Sequence, residues 1–69
     1  MLKVNGKERD LSGKTISELL VIEGHKEAQV VVELNLEIIP KTEYDTTILA
    51  DDDVVEIVMF MGGGSYSII

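Results

Sequence analysis

Three glycines, Gly62-Gly63-Gly64, follow directly on an apolar segment, Val54 to Met61, and only Ser65-Tyr66-Ser67-Ile68-Ile69 lies beyond them. Glycine has no side chain to hold it and no strong backbone preference, so such a run is slim and free to extend. It could thread a narrow channel in a partner enzyme. A cut after Gly64 would place a glycine carboxylate on that tether. The chemistry implied is that of a carrier, whose own terminus is the group worked upon. In the encoded chain this carboxylate does not exist, because Gly64 is in amide linkage to Ser65.

The remaining reactive residue types point to structure rather than catalysis. Asp51-Asp52-Asp53 lacks the alternating spacing of a calcium loop and reads as a solvated turn. His25 is the only histidine and cannot form a histidine metal site by itself. It reads as a surface residue beyond a helix end. Ser12, Thr15 and Ser17 have no histidine base placed beside them by sequence, so no hydrolytic triad is assigned. Cysteine is absent, which excludes disulfides, thiolate metal sites and a cysteine nucleophile. No catalytic and no metal-binding residues are assigned.

The elements that must position the glycines can be read in order. Leu2 and Val4 alternate with Lys3, and Asn5-Gly6 supplies a type I′ hairpin turn into the polar segment Lys7 to Leu11. That second strand should lie at an edge. Thr15-Ile16-Ser17-Glu18 fits a capping box. Ile16, Leu19 and Leu20 then share one helical face, with Glu23 at the same spacing and Val21 and Ile22 widening the apolar arc. Gly24 is placed to stop the helix in the left-handed conformation. Two to three turns are too few to stand alone and must pack on a sheet.

Gln29 to Leu34, with Val30-Val31-Val32 at its centre, reads as a central strand covered on one face. Asn35 marks a turn and Glu37-Ile38-Ile39 resumes an extended course until Pro40 ends the ladder. Residues 41–47 form a connection with one helical turn near Tyr44, whose ring packs while its hydroxyl faces water. Ile48 and Leu49 return to the core, and the three aspartates turn the chain into the last strand. Both faces of Val54 to Met61 are largely apolar, so this strand should be central. The expected fold is α+β, ββαββ, with one helix across a mixed four- to five-stranded sheet. Residues 1–61 form the domain and residues 62–69 a flexible tail.

Length and charge bound the rest. Sixty-nine residues give one small domain with no room for a deep catalytic cleft. Acids and bases cancel through residue 32. From Glu33 onward Lys41 alone opposes eight acids, so the net charge of −7 lies in the second half. A nucleic-acid binder should carry the opposite sign. An acidic face beside the tail suits solubility and docking onto a basic partner. No apolar run approaches the roughly 20 residues needed to span a bilayer, and the N-terminus has no apolar targeting core. A soluble cytoplasmic protein is expected, without membrane contact.

Taken together, the pieces resemble the ThiS-type sulfur carriers of thiamin biosynthesis, β-grasp proteins of the ubiquitin-like superfamily that includes the small subunits of molybdopterin synthase. The resemblance rests on Val4-Asn5-Gly6, Thr15-Ile16-Ser17-Glu18-Leu19-Leu20, Val32-Glu33-Leu34-Asn35, Ile38-Ile39-Pro40-Lys41, Tyr44, Asp51 to Asp53 and Glu56 to Gly64. It is collinear across residues 1–64. There are three departures. Asp52 stands where a glycine is usual, Lys41 replaces an arginine, and five residues follow the glycines.

The resemblance implies an E1-like activating enzyme that uses ATP and Mg²⁺ to adenylate the Gly64 carboxylate. A sulfur donor protein would then convert it to a thiocarboxylate, which gives its sulfur to thiazole synthase or another acceptor enzyme. No cofactor would be intrinsic to this chain, which has no phosphate-binding loop. Gly62, Gly63 and Gly64 would enter the partner's active site, and Val58, Phe60 and Met61 would form the docking surface. A protease would first remove residues 65–69. The alternatives are a carrier for molybdopterin, a sulfur amino acid or a nucleoside, and a ubiquitin-like binding module that is never activated.

Overall fold

The computed structural model describes residues 1–61 and 65–68, with the backbone alone for 60, 61 and 65–68. The chain runs β1 (Leu2–Val4), β2 (Lys7–Arg9), α1 (Ile16–Glu23), β3 (Val30–Leu34), β4 (Glu37–Ile38), β5 (Val54–Met61) and β6 (Ser65–Ile68). Short 3₁₀ turns at Glu27–Gln29 and Lys41–Glu43 lead into β3 and out of the Pro40 corner. The strand order is β2-β1-β5-β3-β4, with β1 parallel to β5 and the other neighbours antiparallel. This is the expected β-grasp arrangement, with β5 at the centre and polar β2 at an edge. β6 is an addition to it and pairs with the C-terminal half of β5.

Local signals set the corners. Asn5 and Gly6 both take positive φ, 49° and 83°, as a type I′ turn requires. Asn35 and Leu36 do the same at the β3–β4 turn, where no glycine is present. At the start of α1 the Glu18 N–H donates to Thr15 Oγ1 at 3.1 Å and the Thr15 N–H to Glu18 Oε1 at 2.8 Å. Both arms of the capping box are closed. At its end Gly24 has φ 82°, and the His25 N–H reaches Leu20 O at 2.8 Å, the six-to-one bond of a Schellman stop.

The core lies between α1 and one face of the sheet. Ile16, Leu19 and Leu20 of α1 meet Leu2 and Val4 of β1, Val30 and Val32 of β3, and Val55 and Ile57 of β5, all buried. Alternate strand residues share a face, so this register turns Lys3, Val31, Glu33, Glu56 and Val58 to the opposite face.

Three expectations are corrected here. Val21 and Ile22 do not widen the packed arc; they are 77% and 46% exposed. An eight-residue helix lying across a sheet touches it along one stripe, and residues 16, 19 and 20 already fill that stripe. Ile48 is also exposed, because the chain crosses Thr15 there in a single antiparallel bridge and only Leu49 points inward. Tyr44, lastly, does not turn its hydroxyl to water. Its side chain is buried, and the hydroxyl accepts the Val32 N–H at 3.1 Å. A main-chain donor that the sheet leaves without a strand partner is satisfied by a phenol from the connection.

Candidate functional site

β5 is the element that delivers the glycines, and it is held on both sides. β3 pairs with Val55 through Met59, while β1 pairs with Val54 and Val55 on the other edge. Where β1 turns away, the Asn5 side chain replaces it, and its Oδ1 accepts the Ile57 N–H at 2.7 Å. Asn35 braces the start of the strand in the same manner. Its Oδ1 accepts from Val54 N–H at 3.0 Å and its Nδ2 donates to Asp53 Oδ1 at 3.0 Å.

Of the residues expected to dock a partner, Val58 is placed on the open face of the sheet. It stands opposite Val31, and the two join Glu33 and Ile38 in lining an open hollow of about 370 Å³. Glu33 is cross-strand partner to both Ile38 and Glu56. Two carboxylates directly opposite one another repel, which costs stability. The face thus has an apolar centre with a paired acidic margin, suited to a partner surface that is apolar with a basic rim. Phe60 and Met61 continue the β5 backbone, while their side chains lie outside the described residues, as do Gly62, Gly63 and Gly64 altogether.

Val31, Glu33 and Ile38 were not singled out from the sequence. A signal did exist: Val30 and Val32 alternate with Val31 and Glu33, so an inward-facing pair implies an outward-facing one. Only the register, which sets Val31 against Val58, joins them into one patch.

The polar residues elsewhere have structural work. Asp53 Oδ2 accepts the Ala50 N–H at 2.8 Å, and the Asp53 N–H donates to Ala50 O at 3.1 Å, closing a four-residue turn. This turn forms without a positive φ at Asp52, so the missing glycine needs no compensation there. Among the described residues no group of three acids, histidines or cysteines could hold a metal ion. The Glu18 carboxyl is held below its usual range, chiefly by the hydrogen bond from the Thr15 backbone. Burial pushes the Tyr44 phenol above its own. Both shifts belong to groups that hold the fold and sit away from the open face. Arg9 is paired with Glu23, tying β2 to the end of α1. No helix among the described residues is long and apolar enough to cross a membrane.

What remains as a candidate site is a firmly anchored strand, an apolar and acidic face, and the glycines that follow. The ThiS family model matches residues 2–64 of this chain. The chain belongs to the ThiS family. Within it, the sulfur carrier protein ThiS of Bacillus subtilis is 46% identical over 68 residues, covering 93% of this chain and 100% of the relative. A thiazole synthase of Paramagnetospirillum magneticum is 46% identical over 65 residues, covering 93% of this chain. This chain spans only 20% of that relative's length.

Among solved structures, the thiamine biosynthesis protein (ThiS) of Geobacter metallireducens superposes with a TM-score of 0.72 at 37% identity, covering 91% of this chain and 97% of that one. The ThiS fold is the ubiquitin-like β-grasp expected from the sequence. Membership places the chain in a family of carriers rather than of catalytic enzymes. The ThiS match stops at Gly64, and residues 65–69 lie beyond it.

Proposed function

We propose that this chain carries sulfur on the carboxylate of Gly64 and delivers it to thiazole formation in thiamin biosynthesis. The observation that carries the reading is the extent of the family match, which covers the domain and ends on the last of the three glycines. Similarity to both a free-standing sulfur carrier and a segment of thiazole synthases supports thiazole synthase as the acceptor.

The chemistry follows from what a carboxylate lacks. It is anionic and a poor electrophile, so an E1-like enzyme with ATP and Mg²⁺ first makes it an acyl adenylate. A carboxylate oxygen attacks the α-phosphorus and pyrophosphate leaves. A persulfide sulfur of a donor protein then attacks the carbonyl carbon and AMP leaves, forming an acyl disulfide. A second thiol, acting as reductant, attacks the donor-side sulfur and breaks the S–S bond, so that the thiocarboxylate departs and the donor is left as a disulfide. The chain's own contribution is positional. β5 anchors the tether, the absence of a Cβ at Gly64 leaves the carbonyl open to attack, and Val31, Ile38 and Val58 with the Glu33–Glu56 margin seat the domain on the activating enzyme. Removal of residues 65–69 precedes all of this, since an amide carbonyl cannot be adenylated in this way. These steps belong to the cytoplasm, where ATP is available.

The test is ATP–pyrophosphate exchange with a ThiS-activating enzyme, using the chain ended at Gly64 and the 69-residue chain. Exchange with the first and none with the second is the expected result. Exchange with neither, from correctly folded protein, would favour a ubiquitin-like binding module that is never activated.

A further inference from the structure

Main-chain groups along a strand point alternately to its two edges. In β5 the odd-numbered residues face β1: the Lys3 N–H donates to Asp53 O at 3.0 Å and the Asn5 N–H to Val55 O at 2.8 Å. The Ile57 N–H, next along this edge, is taken by the Asn5 side chain. Met59 and Met61 follow, and their partners are Ser67 and Ser65 of β6. β3 already holds the other edge at Val58 and Met59. β6 thus takes over the edge that β1 and Asn5 leave.

We propose that residues 65–68 are an intramolecular latch, a strand docked on the β5 edge that keeps the glycine run from reaching into a partner until it is released or removed. The proposal rests on the carrier reading above, in which Gly64 must extend into a distant nucleotide site. Met61 and Ser65, which flank the glycines, are cross-strand partners. Partners of this kind have Cα atoms about 5 Å apart, whereas four extended steps would span roughly 13 Å. Extending the tail away from the domain therefore requires the β6 pairings to break. Four residues of edge strand can open locally while the helix-covered core stays folded, so the latch is separable from the fold.

Amide exchange at Met59 and Met61, read by NMR, tests it in the 69-residue chain, in Ser67→Pro and in the chain ended at Gly64. Proline removes the N–H that position 67 offers to the Met59 carbonyl. Exchange at both methionines should be about tenfold or more faster in the two altered proteins, with the Val32 and Val55 amides unchanged. Equal exchange in all three overturns the latch. Subtilisin supplies the second readout, and it should cut near the glycines several-fold faster in Ser67→Pro than in the parent chain. Identical cutting, with the exchange difference present, would overturn the claim that docking withholds the glycines. Neither readout involves adenylation, so the latch and the carrier reading can fail separately.

Discussion

Asn5 Oδ1 accepts the Ile57 N–H at 2.7 Å across fifty-two residues of sequence. One residue therefore does two things. Its backbone, at φ 49°, makes the first hairpin turn, and its side chain replaces β1 where that strand ends. The strand that carries the glycines is held on this edge by a turn residue.

Asn5→Gly separates the two roles, since glycine keeps the positive φ and removes the acceptor. It should cost about 1–3 kcal/mol, the penalty for a partly buried donor left without its partner. Urea denaturation checks this. No loss would mean that water replaces the side chain fully.

Tyr44→Phe removes the hydroxyl that takes the Val32 N–H inside the core. The same measurement should show a loss of about 1–3 kcal/mol with the native sheet retained. The phenol also sets an alkaline limit. Its folded pKa is raised by burial above the ordinary value of 10.0. The unfolded chain therefore loses its proton first. Stability is full below that value and falls as pH rises toward the folded pKa. Tyr44→Phe should remove that part of the alkaline fall.

Thr15→Ala opens the capping box of α1 and should cost about 1 kcal/mol. Glu18 closes the other arm, and its pKa is lowered by the Thr15 backbone hydrogen bond. For a lowered carboxyl, the contribution is present above the unfolded value and lost as pH falls through the folded one. Glu18→Gln keeps the hydrogen-bonding shape without the ionisation. Its stability profile should therefore be flatter than that of the parent on the acid side. Parallel profiles would contradict the assignment.

Leu36 has φ 71° and is 87% exposed. A left-handed conformation is costly for a residue with a Cβ, and no core packing offsets it. Leu36→Gly relieves the strain but adds freedom to the unfolded chain. The net should be a gain of about 0.5–1 kcal/mol, seen as a higher thermal midpoint.

Legibility in the sequence followed the range of the interactions. Asn5-Gly6, Thr15 with Glu18, and Gly24 act within a few residues, and each did what its local chemistry implies. The centrality of β5 was legible because Val54 to Met61 is largely apolar on both faces. Longer-range choices were not. Val21 and Ile22 look like core, yet helix rotation on the sheet leaves them outside. The Tyr44 hydroxyl finds Val32 through the path of the connection, which no pattern encodes. The open-face patch needed the register of β3 on β5. Residues 65–68 read as a tail in the sequence, and their pairing with β5 appears only in the register of the sheet.

The most direct test of the carrier account is the intact mass of this protein isolated from its native cells. The account predicts a species ending at Gly64, part of it with sulfur in place of one terminal oxygen. A single species retaining residues 65–69, unchanged when thiamin demand rises, would contradict it.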